Sequence, residues 1–130
     1  MALRLGRRDA WRAGRVWMPS FAAAAVLEIA CKRLIASERP AGRARLAEGA
    51  IELGGSFPSG HALYTGLVAA LAWRLWARPA ARAAALGWLA VVSGSRVALG
   101  AHWPRDVVAG AATGLTLGGR WPLPLPPGDG

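Results

Sequence analysis

The stretch S-R-V-A-L-G-A-H-W-P-R-D, which runs from Ser95 to Asp106, sets a histidine between an arginine and an aspartate. Gly100 is the residue type that usually stands just past a helix end, and Pro104 fits the first turn of a new helix. The spacing therefore predicts that one helix ends near Gly100 and another begins at Pro104, with His102 in the turn between them.

His102 is the candidate nucleophile of this turn. Asp106 falls in the first turn of the following helix, where a negative charge suits the helix dipole and the carboxylate can reach back to the imidazole. A carboxylate bonded to one ring nitrogen fixes the tautomer and leaves the lone pair of the other nitrogen free to attack an electrophile. An isolated H-x-x-x-D also fits a capped turn with an incidental histidine, so the rest of the chain must decide between the two.

The composition is that of a membrane protein. Hydrophobic residues make up 54% of the 130 residues and charged residues only 18%, which is more apolar than an ordinary soluble domain of this length. We predict an all-α transmembrane bundle of about four spanning helices, although no run reaches the roughly twenty uninterrupted apolar residues of an ideal span. The net charge of +9 comes mainly from arginines scattered between apolar runs. That pattern argues against a nucleic-acid partner and favours anionic lipid headgroups or phosphates.

The chain divides into a basic N-terminal flank over residues 1–15, a membrane domain over 16–120 and a proline-rich tail over 121–130. The basic start followed by an apolar run also resembles a signal peptide. We disfavour that interpretation because the apolar pattern continues as far as Ile35. The charged segment 41–53 is typical of a surface loop or a short interfacial helix.

The first predicted helix, over residues 16–37, carries two charges of opposite sign. Glu28 and Lys32 are four residues apart, the favourable order for a helical ion pair, and both are costly inside a bilayer unless they serve a function. If this helix persists to Pro40, Lys32 and Arg39 project from the same face. Two cations on one face indicate an anion-binding site.

The stretch G-G-S-F-P-S-G-H, residues 54–61, opens the second apolar helix. Ser59 is a plausible N-cap, and Gly60 permits close approach to the free backbone N–H groups that follow it. These groups predict an anion cradle with His61 at its rim. In isolation the same residues fit a simple turn with a capping histidine.

Two more helices follow, one from Pro79 to about Leu99 and one from Pro104 to about Gly119. The last contains a G-x-x-x-G, formed by Gly110 and Gly114, which predicts close helix contact. If all four helices span, the loop that ends at His61 and the turn with His102 lie on the same side of the membrane. The positive-inside rule, applied to the arginines away from the candidate site, places that side outside the cytoplasm.

Three patterns now stand in order along the chain: K-x6-R-P, P-S-G-H and S-R-x5-H-x3-D. Together they resemble the signature motifs of the type 2 phosphatidic acid phosphatase and vanadium haloperoxidase superfamily. The match covers more than half of the chain, from Lys32 to Asp106. The probability that so many specified positions match by chance is negligible.

The resemblance implies a short form of this family's helical bundle and a phosphatase that needs no metal or other cofactor. It implies a covalent phosphohistidine on His102, oriented by Asp106, with His61 as the proton donor to the leaving group and then the base for water. These roles agree with the chemistry of phosphoryl transfer, which needs the equatorial oxygens neutralised. The phosphate-binding groups are Lys32, Arg39, Ser59, Gly60 and Arg96.

An outward-facing site level with the headgroups favours a lipid phosphate as substrate. We rank a polyprenyl pyrophosphate or polyprenyl phosphate first, and phosphatidic acid or phosphatidylglycerol phosphate next. Membrane members of the family usually have more helices before the lysine motif than this chain has room for. Its bundle is therefore either completed in a homo-oligomer or belongs to an inactive or truncated scaffold. A soluble acid phosphatase or haloperoxidase is a further alternative, which the length and hydropathy disfavour.

Overall fold

The computed structural model describes residues 7–40 and 55–123, with side chains from residue 14 onward, and all regular structure in these ranges is helical. The four helices are α1 (Arg7–Leu34), α2 (Gly60–Leu75), α3 (Pro79–Ala98) and α4 (Pro104–Arg120). The all-α prediction is confirmed for this part of the chain. The predicted loop or helix over 41–53 lies outside the described residues, as does the tail beyond residue 123.

Within the described ranges, no helix combines the length and the apolar character that a membrane crossing requires. The predicted helices are therefore present, while the prediction that they span a membrane is not confirmed.

The bounds of α1 differ from the sequence prediction at both ends. The helix begins at Arg7 rather than at residue 16, because the basic flank is rich in alanine and arginine, which are good helix formers. It ends at Leu34 rather than continuing toward Pro40. Beyond that end, the Ser37 carbonyl accepts a hydrogen bond from the backbone N–H of Ser56 at 2.7 Å, so this backbone pairs with the chain before α2. Lys32 and Arg39 consequently do not share a helical face.

Helices α2 and α4 pack through glycines with almost no space between their backbones. A Cβ atom at Gly110 would collide with the carbonyl oxygen of the residue that precedes α2, and one at Gly114 with a carbonyl oxygen inside α2, which confirms the predicted close contact. Gly118 continues the series one turn later. The facing carbonyl oxygens advance along α2 in the same order: Ser59, Leu63 and Leu67. The two helices therefore run parallel, and their N-termini meet at one end of the bundle.

The core lies along α2 and excludes α3. Leu63, Leu67 and Leu71 are fully buried and form a cluster with residues of α1. In contrast, α3 has no buried residue, and its large apolar side chains, such as Trp88 at 61% and Val91 at 65% exposure, face outward.

One backbone hydrogen bond joins the two N-termini, from the N–H of Ser59 to the carbonyl of Asp106 at 2.9 Å. It brings the segment that ends at His61 beside the turn that holds His102. The sequence predicted that these two segments lie at the same end, and the packing confirms it.

Candidate active site

His102 lies in the turn between α3 and α4, as the sequence predicted. The turn passes through Gly100, whose φ of 65° is in the left-handed region that favours glycine. It then folds back on the last turn of α3, where the Arg96 carbonyl accepts the N–H groups of Ala101 at 3.0 Å and of His102 at 3.3 Å. These hydrogen bonds fix the backbone of His102 relative to that of Arg96.

The His102 imidazole is buried, with 5% of the residue exposed, and its Nδ1 lies 2.8 Å from the backbone carbonyl oxygen of Ser56. A carbonyl oxygen can only accept a hydrogen bond, so Nδ1 carries the hydrogen and Nε2 carries the lone pair. The sequence predicts that Asp106 sets this tautomer, but the distance does not support a direct bond. Its nearest oxygen is 3.9 Å from Nδ1, which is too long for a hydrogen bond.

Asp106 is fully buried in the first turn of α4. Its Oδ2 accepts hydrogen bonds from the Ser56 hydroxyl at 2.5 Å and from the backbone N–H of Trp103 at 3.0 Å. Its Oδ1 lies 3.7 Å from Nε of Arg105 and has no hydrogen-bond partner in the part of the chain that the structure describes. The carboxylate therefore caps α4 and holds Ser56, while its charge stays near His102.

The surroundings of His102 favour the neutral imidazole. Burial lowers the pKa of His102, and the positive charges of Arg39 and Lys32 lower it further. The hydrogen bond to Ser56 and the charge of Asp106 oppose this shift without reversing it. A neutral ring with a free Nε2 lone pair is the form that can act as a nucleophile.

The predicted anion cradle begins with Ser59, the N-cap of α2, whose Oγ accepts the N–H of Ala62 at 3.4 Å. Gly60 follows as the first helical residue and is buried, whereas His61 is exposed beside it. A Cβ at Gly60 would collide with the carboxylate of Glu28. The absence of a side chain at Gly60 therefore leaves room for the carboxylate of Glu28 from α1.

Glu28 also forms the predicted ion pair with Lys32, with 2.8 Å between Oε1 and Nζ. The two side chains are only 10% and 8% exposed, so the pair holds Lys32 beside the N-terminus of α2. Burial lowers the pKa of both His61 and His102, and the positive charge of Lys32 adds to the shift at each ring. This confirms the pair and places the lysine among the candidate site residues.

The two predicted arginines approach the histidines from different segments. Nη1 of Arg39 donates to the carbonyl of Ala101 at 3.4 Å, and its charge acts on His102. Burial lowers the pKa of His61, and the positive charge of Arg96 lowers it further. The structure thus gathers Lys32 and both arginines around the two histidines, although Arg39 arrives from the extended chain after α1 rather than from a helix.

Ser56 is the residue of this site that the sequence analysis missed. It contacts both His102 and Asp106, yet its contact with the histidine is made by a backbone carbonyl. Its only signal was its place in the G-G-S-F-P-S-G-H stretch, three residues before Ser59.

A cavity of about 880 Å³ adjoins the His102 turn. Phe57, Trp103 and Ile35 give it apolar walls. Its charged lining residues are two arginines, Arg39 and Arg105, and one carboxylate, Glu38, which leaves a net positive charge. Such a lining fits a molecule that has both an anionic and an apolar part. Among residues 7–40 and 55–123, no group of three or more His, Cys, Asp or Glu side chains is placed to hold a metal ion.

Comparison with known proteins gives a family and partial relatives. A model of the PAP2 superfamily matches residues 20–123. Phosphatidylglycerophosphatase B of Escherichia coli and that of Shigella flexneri are each 47% identical to the chain over 60 residues, which cover 44% of this chain. The match spans 24% of the length of each relative. No solved structure gives a significant match.

Proposed function

Because the chain belongs to the PAP2 superfamily, as its three motifs predicted, we propose that it is a lipid phosphatase that works through a covalent intermediate on His102. The observation that carries this proposal is the buried His102 ring. Its Nδ1 is tied to a backbone carbonyl, so the lone pair is on Nε2. That is the arrangement a histidine nucleophile needs.

In the first step, Nε2 of His102 attacks the phosphorus and forms an N–P bond. The bond between phosphorus and the leaving oxygen breaks, and that oxygen keeps the bonding electrons and takes a proton from protonated His61. Charge on the equatorial oxygens must be neutralised throughout. We assign that role to Lys32, Arg39, Arg96, the Ser59 hydroxyl and the Gly60 N–H.

In the second step, water attacks the phosphorus and neutral His61 takes its proton. The N–P bond breaks, its electrons return to Nε2 of His102, and inorganic phosphate leaves. Between the two steps the phosphorylated ring carries positive charge, because Nδ1 keeps its hydrogen. The buried carboxylate of Asp106, 3.9 Å from Nδ1, stabilises that charge.

The exposed apolar surface supports a lipid environment. The outer face of α3 carries Trp88 and Val91, both largely exposed, and exposed large apolar side chains on one helix face are typical of a surface that contacts lipid or another protein. We propose that this face contacts lipid, or a second copy of the chain in a homo-oligomer. A multi-pass location in the cell membrane with the site facing outward remains our prediction for the whole assembly.

The substrate we propose is a lipid whose phosphate lies at the membrane interface. The sequence alone favours polyprenyl pyrophosphate or polyprenyl phosphate. The similarity to phosphatidylglycerophosphatase B moves phosphatidylglycerol phosphate to the front, with the polyprenyl phosphates and phosphatidic acid next.

A phosphate-release assay across these lipids, run in mixed micelles with a metal chelator, tests the proposal. We expect wild-type protein to release phosphate from at least one lipid much faster than from a water-soluble phosphomonoester, and His102→Ala to release none. Folded wild-type protein without activity on any of these lipids would favour the inactive scaffold. Activity that disappears with chelator and returns with magnesium would contradict the metal-independent mechanism.

A further inference from the structure

Ser56 lies where three segments of the chain meet, and it is fully buried. Its N–H donates to the Ser37 carbonyl at 2.7 Å, which fixes it against the segment after α1. Its carbonyl accepts from Nδ1 of His102 at 2.8 Å, and its hydroxyl donates to Oδ2 of Asp106 at 2.5 Å. All the hydrogen-bonding groups of this serine are therefore engaged.

The hydrogen of the Ser56 hydroxyl belongs to the bond with Asp106. The hydroxyl oxygen is also 3.4 Å from Nδ1 of His102, but the carbonyl at 2.8 Å is the closer acceptor for the Nδ1 hydrogen. The carboxylate itself remains 3.9 Å from Nδ1. The hydrogen-bonded link between Asp106 and His102 thus passes through Ser56.

We propose that Ser56 is a positioning residue, whose carbonyl fixes the tautomer of His102 and whose hydroxyl fixes the Asp106 carboxylate at a set distance from the ring. This inference rests on the proposed function, because the tautomer and the carboxylate matter only if Nε2 of His102 accepts a phosphoryl group. A serine that serves the fold alone would affect stability but not the chemistry at the ring.

The variant Ser56→Ala separates the two roles, since it keeps the carbonyl and removes the hydroxyl. A hydrogen bond to a charged group contributes enough that its loss should lower kcat roughly tenfold or more, with KM little changed. The acid limb of the kcat/KM profile should move to higher pH, because a carboxylate without its donor attracts protonated His102 more strongly. Unchanged kcat and an unchanged pH profile would overturn the inference, whatever happens to stability.

Ser20→Ala is the matched control. Ser20 is also fully buried, and its hydroxyl donates to the Trp17 carbonyl at 2.9 Å inside α1, away from the site. It should cost stability without changing kcat or the pH profile. If Ser56→Ala does not fold, Ser56→Cys keeps a similar volume with a weaker donor and should fall between wild type and a full loss. Wild-type kcat in a folded Ser56→Cys protein would contradict the proposal.

The double variant Ser56→Ala with Asp106→Asn tests whether the two residues act as a unit. If Asp106 acts through the hydroxyl, the double variant should lose much less activity than the product of the two single losses. Multiplying losses would show that the residues act independently and would overturn the inference.

A tautomer measurement tests the carbonyl role without any need for activity. The chain has 2 histidines, so ¹⁵N NMR of histidine-labelled protein, assigned with His61→Ala, resolves His102. We expect hydrogen on Nδ1 in both wild type and Ser56→Ala, because both keep the carbonyl. Hydrogen on Nε2 would refute the role of Ser56. An inactive wild type with hydrogen on Nδ1 would refute the proposed function while leaving this contact intact.

Discussion

Replacing Gly114 of α4 with alanine should force α2 and α4 apart. A Cβ at this position would collide with the Leu63 carbonyl oxygen and lie 2.7 Å from the backbone nitrogen of Leu67. Backbone atoms cannot rotate away as a side chain can, so the helices must separate to admit the methyl group. The change therefore tests the parallel packing that brings the two halves of the site together.

The magnitude follows from two opposing effects. Forcing an extra carbon into a tightly packed contact costs about 1–3 kcal/mol. Replacing glycine with alanine inside a helix returns about 0.5–1 kcal/mol. Gly87 in α3 supplies the control, because a Cβ there would have nothing within 4 Å. The helix-propensity gain is common to both variants, so Gly114→Ala should be less stable than Gly87→Ala by about 1–3 kcal/mol.

The assay is unfolding of the two purified variants side by side, with phosphate release measured on the same samples. Separation of the helices also strains the bond between Ser59 and Asp106, so Gly114→Ala should lose activity while Gly87→Ala keeps it. Equal stability and equal activity of the two variants would refute the packing of α2 against α4 at this glycine.

Three further predictions concern the site. Burial lowers the pKa of His102, and only the neutral ring has a free lone pair on Nε2. As the pH is lowered, kcat/KM should therefore begin to decrease only below the ordinary histidine pKa of about 6.5. An acid limb above that value in the pH profile would contradict this. Vanadate, which mimics the five-coordinate transition state, should compete with the lipid substrate, and inhibition that no substrate concentration relieves would count against the cradle. Glu28→Gln removes the partner of Lys32 and should lower turnover a few-fold, whereas unchanged kinetics would leave Glu28 a structural role.

The bounds of three helices could be predicted from local signals in the sequence. Pro79 and Pro104 mark the first turns of α3 and α4, Ser59 caps α2, and Gly100 follows the end of α3. Each of these residues acts through its own backbone or its nearest neighbours, so its effect is visible in a short window of sequence.

The end of α1 depends on a distant partner and could not be predicted in this way. The pairing of Ser37 with Ser56 joins residues that are far apart in the chain, and no residue type near Ser37 signals it. As a result Arg39 reaches the Ala101 carbonyl from an extended segment. The sequence identified Arg39 as a candidate residue, but not its route to the site.

The same limit applies to the contacts inside the site. Side-chain chemistry indicated His102 and Asp106, and their nearness in sequence suggested a direct bond. The observed acceptor for His102 is a carbonyl 46 positions away. Every residue carries a carbonyl, so no residue type could have indicated this contact with His102.

The most direct test of the account is to trap the phosphoenzyme. Wild-type and His61→Ala protein would be mixed with phosphatidylglycerol phosphate carrying a radiolabelled terminal phosphate, quenched rapidly in alkali and analysed by peptide mapping. We predict an acid-labile phosphohistidine at His102 in the wild-type protein and none in His102→Ala. In His61→Ala both the formation and the hydrolysis of this intermediate should be slower, because His61 serves both steps. Turnover without a labelled protein intermediate, or label on a residue other than His102, would contradict the account.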